Sequence, residues 1–329
     1  MTRGRGFVNI DKPPSPCHNV SMNLDNLVEM SNRYGADEEF VILGGGNTSY
    51  KDGNVMYVKG SGSPLASISS DEFVAMDLPL LLATLKHEYP ADMKSYEIEA
   101  KSFEAIMAAM LPGQEGKRPS VESILHALFP YKYVLHVHPA LVNGLTCSID
   151  GEDICKRLFG DSAVWVKSVT PGPGLAKEFV LALKRRGYSP VAFGTEPTRC
   201  LSDDETPSAF QCFPKIAFLQ NHGIFVAADS VGEIDDLMSV VIDKLTAEVT
   251  QFPEFVYTSD DVDIDDVINN PLTPEQAMFF LGELKDQTEK KQAFIQNACK
   301  IAVYAKSFGG VNPLSDDIVK TMLEFNPYK

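Results

Sequence analysis

The sequence predicts an α/β fold in which a mixed, partly antiparallel sheet is covered by helices. Short runs rich in β-branched and aromatic residues alternate with segments of helical period along most of the chain. Several of those runs are joined by loops too short for a helical crossover, which requires antiparallel neighbours. No Gly-x-Gly-x-x-Gly follows a predicted strand. Gly44-Gly45-Gly46-Asn47-Thr48-Ser49 lacks the last glycine of the dinucleotide fingerprint and the Gly-Lys-Ser/Thr ending of a P-loop.

The elements follow in order. Residues 1–20 are rich in Gly, Pro and polar groups and read as a loose arm. Leu24, Leu27, Val28 and Met30 give 23–34 a helical spacing. Residues 40–43 read as a strand running into Gly44-Gly45-Gly46. Val55–Lys59 alternates as a strand and opens onto Gly60-Ser61-Gly62-Ser63-Pro64, with a further strand over 73–78. Helices are expected over 79–87 and 94–110, then a short one over 121–128 with Ser120 as its N-cap and Pro130 as its stop. Tyr133–Val137 is a strand ended by Pro139, followed by helical pieces over 141–145 and Gly151–Phe159. A strand over 163–169 leads to Pro171-Gly172-Pro173-Gly174 and a helix over 175–186. Residues 187–214 are polar and turn-rich, a surface excursion. Strands over Ile216–Leu219 and 224–227 precede an amphipathic helix over 231–249. Acidic residues crowd 259–266 as a solvated linker or edge, and from Pro274 the period is mostly helical.

Composition narrows the function classes. Of 329 residues, 44% are hydrophobic and 22% charged, the balance of a soluble globular chain long enough to bury a sizeable core. The longest apolar stretches fall far short of the ~20 residues of a membrane span, and no basic n-region with an apolar h-region opens the chain. With 29 basic against 45 acidic residues the net charge is −16, which argues against nucleic acid and anionic membrane as partners. An anionic substrate stays possible, because backbone N–H groups can hold a phosphate against the global sign. The six cysteines form no Cys-x-x-Cys pair and read as reduced thiols of a cytoplasmic protein.

The histidines carry more information. His136-Val137-His138 lies on a predicted strand, where period-two alternation puts both imidazoles on one face, within reach of one divalent ion. Asn221-His222-Gly223 ends another strand, and the glycine removes a side chain beside the histidine and permits an unusual turn. Three neutral imidazoles with an open fourth position make a catalytic zinc-type site. The same residues also suit a surface pair or hydrogen-bonded core histidines. Glu122, in the first turn of a predicted helix, fits either a catalytic carboxylate or a partner of the helix dipole. His126, one turn on, could brace Glu122 or pack against the next strand.

The order of the pieces adds a further reading. Gly-Gly-Gly-Asn-Thr-Ser (44–49), Val-Lys-Gly-Ser-Gly (58–62), Arg-Pro-Ser-Val-Glu-Ser-Ile-Leu-His (118–126), Val-Leu-His-Val-His-Pro (134–139) and Leu-Gln-Asn-His-Gly-Ile-Phe-Val-Ala (219–227) are collinear. Over about residues 23–250 the chain resembles the class II aldolase/adducin family. The Pro-Gly-Pro-Gly-Leu-Ala segment (171–176) and the length look most like the aldolase part of bifunctional rhamnulose-1-phosphate aldolase/alcohol dehydrogenases.

The resemblance implies a three-layer α/β/α sandwich with a largely antiparallel central sheet. It also implies an arm over 1–22, an aldolase-like domain over 23–255 and a helical C-terminal extension over 256–329. His136, His138 and His222 would hold one divalent metal ion per chain, Zn²⁺ being usual in the family. Glu122 would be the acid/base, and Gly46, Asn47, Ser61, Gly62 and Ser120 would hold the substrate phosphate. The implied reaction is reversible cleavage of a ketose 1-phosphate to dihydroxyacetone phosphate and an aldehyde through an enediolate, by a cytoplasmic homotetramer of carbohydrate metabolism. The alternatives are a sugar-phosphate 4-epimerase, a dehydratase or decarboxylase of the same family, or a non-catalytic adducin-like binding module. Related epimerases tend to carry Asp where Glu122 stands. The extra residues around 79–117 and 187–214 depart from the compact aldolases.

Overall fold

The structure, a computed structural model, describes residues 16–90, 92–188, 213–253 and 263–324. Its centre is a sheet of β1 (Asn47–Asp52), β2 (Val55–Lys59), β3 (Phe73–Asp77), β4 (Tyr133–Val137), β5 (Ala163–Val166), β6 (Ile216–Leu219) and β7 (Gly223–Ala228). The strands lie in the order β3-β2-β1-β4-β7-β6-β5, and every neighbouring pair is antiparallel except β5–β6. The short links explain this. Asp52 pairs with Val55 across a two-residue turn in which Gly53 takes φ 56°, a left-handed conformation that glycine adopts without steric cost.

Alternation along the strands sends side chains to two cores. Leu135 and Val137 of β4, with Ile224 and Val226 of β7, face α1 (Pro16–Gly35), α5 (Ala140–Thr146), α6 (Gly151–Phe159) and α8 (Val231–Thr246). Val134, Phe225 and Ala227 face the opposite layer of α2 (Leu78–Ala83), α3 (Ser95–Ala108), α4 (Ser123–Leu128) and α7 (Pro173–Arg185), where Phe129 stacks between Phe179 and Phe225. The result is three layers, α/β/α. The added stretch around 79–117 is α2 and α3, which cover this second face.

The C-terminal helices are α9 (Ile264–Asn269), α10 (Pro274–Phe280), α11 (Thr288–Lys306) and α12 (Asp316–Glu324). α11 lies along α5, and the contact is close because Gly144 has no side chain: a Cβ there would stand 2.4 Å from the Tyr304 Cβ. α12 reaches back to α3. Among the described residues no helix is long and apolar enough to cross a membrane.

Several expectations change. α1 begins at Pro16, seven residues before the expected start, and the remainder of the expected loose arm lies outside the described residues. Residues 40–43 form no strand. The N–H groups of Phe40 and Val41 both bond to the Asp37 carbonyl in a turn, and Leu43 takes φ 54°. The glycine loop therefore precedes β1 instead of following a strand. The short fourth helix starts at Ser123, and Ser120 is not its cap: the Ser120 Oγ accepts from the Glu122 N–H, just ahead of the helix. The strand expected over 163–169 ends at Val166, short of the Pro-Gly-Pro-Gly loop. Most of the excursion expected over 187–214, and the first half of the acidic stretch over 259–266, lie outside the described residues. At the edge of the latter, Asp263 caps α9 by accepting from the Asp265 and Asp266 N–H groups.

Candidate metal centre

Two strand ends bring the histidines together. β4 and β7 pair side by side, with His136 opposite Phe225, so the end of β4 meets the turn that enters β7. His136 is fully buried on the second face, its ring stacked 4.1 Å from that of Phe225. His138 follows just beyond β4. His222 comes from the β6–β7 turn, where Asn221 takes φ 60° and donates its side-chain amide to the Asn312 carbonyl. The left-handed residue of this turn is Asn221 rather than the expected glycine. Gly223 instead provides room: a Cβ there would lie 2.6 Å from His138 Cδ2.

The three imidazoles each offer one nitrogen, and those nitrogens lie within 4.8 Å of one another. His136 donates Nδ1–H to the Ile224 carbonyl at 3.0 Å, which leaves its lone pair on Nε2. That Nε2 stands 2.9 Å from His138 Nε2. Two ring nitrogens so close share either a hydrogen, one ring donating to the other, or a metal ion. Burial, then the neighbouring imidazoles, hold His136 well below the usual histidine range, and burial pushes His222 down to about 3. Neutral imidazoles with converging lone pairs fit a divalent ion of the borderline class.

Glu122 completes this cluster. Its Oε2 accepts from Asn47 Nδ2 at 2.6 Å and lies 3.4 Å from His136 Nε2, while Oε1 is 3.5 Å from His222 Nε2 and has no hydrogen-bond partner. Burial pushes the Glu122 carboxyl up to about 8, Glu275 adds to the rise, and Asn47 and Lys59 oppose it. His126 does not brace Glu122. Its Nδ1 pairs with Ser49 Oγ at 2.9 Å and its ring packs edge-on against Phe225.

A cavity of about 380 Å³ opens over the centre. Gly46, Asn47, Ser61, Gly62, Ser120, Glu122, His138 and His222 all line it, and His136 sits beneath. The three loops thus meet at one place although they are far apart in sequence. Gly46 at φ 74° allows its loop to pass the end of β4: a Cβ there would lie 2.9 Å from the His136 carbonyl oxygen. The second loop is tied to the third by Ser61 N–H to the Arg118 carbonyl and Ser120 N–H to the Lys59 carbonyl.

Three ionisable residues of the cavity, Lys59, Glu275 and Lys290, were not among the sequence candidates. Lys59 is 4% exposed, lines the cavity and makes no ion pair within 4.0 Å among those of the described residues. Burial pulls its ammonium down to about 8, with Glu122 and Glu72 opposing. It stands inside the Val58-Lys59-Gly60-Ser61-Gly62 stretch, so the local signal was present. Glu275, in the first turn of α10, places Oε1 3.3 Å from His138 Nδ1 and 3.9 Å from His222 Nε2. Burial raises its carboxyl, but His138, His222 and hydrogen bonds from its own N–H and from Thr273 bring it below the usual range. An acid in a helical first turn reads as a dipole partner, and no local pattern distinguishes this one.

The fold is shared with a solved class II aldolase domain. An uncharacterized oxidoreductase of Bacillus subtilis (strain 168), YuxG, is 32% identical over 163 residues, 47% of this chain but only 22% of that protein's length. The N-terminal class II aldolase domain of a conserved protein from Thermoplasma acidophilum superimposes with a TM-score of 0.50 at 24% identity, over 75% of this chain and 98% of that one. An L-fuculose 1-phosphate aldolase superimposes with a TM-score of 0.42 at 14% identity, over 73% and 92% of the two chains. Residues 25–245 match the family described as "Class II Aldolase and Adducin N-terminal domain", and the chain belongs to that family.

Proposed function

We propose that the chain is a metal-dependent aldolase that reversibly cleaves a ketose 1-phosphate, of the rhamnulose or fuculose phosphate kind, to dihydroxyacetone phosphate and an aldehyde. The observation that supports this best is the convergence of three imidazoles, a buried carboxylate and three glycine- or serine-bearing loops at one cavity. His136, His138 and His222 would hold one ion per chain, zinc by the nature of three neutral nitrogen donors. Such an ion supplies a Lewis acid for the charge that develops on substrate oxygens as the carbon–carbon bond breaks.

The chain's own residues do the rest. Glu122, held by Asn47, takes the proton of the hydroxyl whose carbon becomes the aldehyde. The bond's electron pair passes to the ketose fragment as an enediolate. Glu122 returns the proton to the carbon that lost its partner, which completes dihydroxyacetone phosphate and leaves the carboxylate as it began. Gly46, Ser61, Gly62 and Ser120 would present backbone and hydroxyl donors to the phosphate, with Lys59 as its counter-charge. Asn47 lines the same loop while its side-chain N–H serves Glu122. The dipole of α4 adds little at this place, since that helix starts only at Ser123. A homotetramer and a cytoplasmic location belong to the same reading, the first from the family likeness and the second from the scattered cysteines.

A screen of ketose 1-phosphates for released dihydroxyacetone phosphate, with metal content measured alongside, tests the reading. Wild type should carry about one zinc per chain and cleave at least one substrate. His136→Ala should lose both, because two remaining imidazoles compete poorly with chelators. Inversion at a single carbon without cleavage would make the chain an epimerase, and equal metal in both proteins would remove the three-histidine site.

A further inference from the structure

Glu275 lies outside the stretch that matches the family, residues 25–245, and reaches the centre from the C-terminal helices. Its side chain is only 14% exposed, and among the described residues its ion-pair partners within 4.0 Å are His138 and His222, with no lysine or arginine. A carboxylate buried without a cation is costly, so this position calls for a positive charge close by. Glu122 approaches His136 and His222 and shares only His222 with Glu275, so two carboxylates flank the three imidazoles.

The division of nitrogens is informative. His136 uses Nδ1 on a backbone carbonyl and turns Nε2 inward. His138 places Nδ1 in an ion-pair contact with Glu275 Oε1 at 3.3 Å, and its Nε2 meets His136 Nε2 at 2.9 Å. An imidazole whose Nδ1–H faces a carboxylate keeps the Nε2 lone pair for an ion, and the carboxylate makes that lone pair more basic. His136 on β4 therefore has an outer acceptor from the sheet, and His138 just beyond the strand faces a carboxylate from α10. Thr273 fixes the second by capping α10, its Oγ1 accepting from the Gln276 N–H.

We propose that Glu275 is a positioning residue of the metal centre: it accepts the His138 Nδ1–H, sets that ring's tautomer and direction, and makes the C-terminal helices a required part of the site. The proposal rests on the reading that His136, His138 and His222 hold a metal ion. Glu275 contacts the ligand rather than the ion or the substrate.

The test is the zinc dissociation constant of the full chain, by chelator competition, for wild type, Glu275→Gln, Glu275→Ala and the exposed control Glu289→Ala. Thermal melting of the metal-free proteins and the visible spectrum of each Co²⁺-loaded form accompany it. Glu275→Gln keeps an oxygen acceptor but loses the charge, so zinc should bind about 3–10-fold more weakly; Glu275→Ala should reach about 10–100-fold. The control should stay within twofold, and the Co²⁺ bands should keep their positions, because the ligand set is unchanged. Glu275→Gln within twofold of wild type overturns the proposal whether or not the alanine variant folds. A shifted Co²⁺ spectrum in Glu275→Gln makes Glu275 a direct ligand and overturns the positioning role. A wild type that takes up no metal defeats the metal reading itself, a result distinct from either.

Discussion

The cavity has two unlike walls. One is made where the sheet ends: Gly46 before β1, Lys59 at the end of β2, Ser61 and Gly62 just after it, and Ser120 before α4 offer glycine backbone, small hydroxyls and one buried ammonium. The other is made by the C-terminal helices and is mostly side chain, with Phe279 stacked on Phe294 at 4.5 Å, Asn297 beside them and Glu275 at the edge of the histidines. The first wall suits an anion, since its donors are fixed by strand register and cost no ordering on binding. The second presents rings and an amide beside Lys290 and Glu275, groups that suit the polar, variable end of a sugar-derived molecule. A ketose phosphate has one end of each kind, and the histidines lie between the walls.

The largest effect should come from the group between them. Glu122→Gln keeps shape and the Asn47 contact at one oxygen but removes the proton acceptor, so turnover should fall by ~10²–10⁴-fold with metal content retained. Single-turnover assays on metal-replete protein measure this. Turnover within a few-fold of wild type would leave Glu122 a buried structural acid and the mechanism without its base.

The same contrast separates what was legible in the sequence from what was not. The first wall announces itself locally. Glycines at φ 74° and 94°, in Gly46 and Gly62, are needed by the turns themselves, and His-x-His alternation is a property of any strand. Even so, a turn anchored on Asp37 displaced the strand expected over 40–43, because four apolar residues cannot by themselves distinguish a strand from the buried side of a loop. The second wall carries no such mark. Glu275 of α10 and Phe294 and Asn297 of α11 are ordinary helix residues, and the packing of α11 on α5, allowed by Gly144 against Tyr304, together with that of α10 on α11, brings them over the centre. The helical character of this region was readable from its period, whereas its contribution to the site is tertiary.

A paired substitution sharpens the two-wall view at intermediate effect. Lys59→Met should weaken a dihydroxyacetone-phosphate mimic roughly tenfold or more and its unphosphorylated counterpart little, as expected of a charge-assisted contact in a buried place. Phe294→Leu should do the reverse. The mimic should bind within about twofold of wild type, while relative kcat/KM for short and long aldehydes shifts by about 10-fold, the scale of a methylene or two in an apolar pocket. Competition binding and aldehyde panels read the two effects. If either variant changes both ends alike, the walls are not specialised.

The smallest effect on catalysis, and a separate one on stability, is expected behind the first wall. Pro171 lines the cavity, and the loop it belongs to is held from below by Glu99 of α3, which accepts the Gly174 N–H. The approach is close: a Cβ on Gly174 would lie 2.6 Å from Glu99 Oε1. Glu99 is buried, its Oε2 has no hydrogen-bond partner, and burial pushes its carboxyl up to about 8 against the opposing pull of Gly174 and Lys177. The folded state therefore holds this proton at pH values where the unfolded chain has released it. Stability is highest below the ordinary carboxyl value of 4.5 and falls as pH rises through about 8, where the folded state too must ionise. Glu99→Gln keeps an acceptor for the Gly174 N–H and never ionises. The variant should melt close to wild type at pH 5 and gain on it progressively toward pH 9, by on the order of 1–3 kcal/mol. Metal content and the affinity of the phosphate mimic should hardly change, since Glu99 touches the loop's backbone rather than the cavity. Melting curves across pH 5–9 for both proteins measure the gap. A gap that is constant with pH would mean that the buried carboxylate is already compensated in the folded state, and that the first wall rests on a charge rather than on a proton.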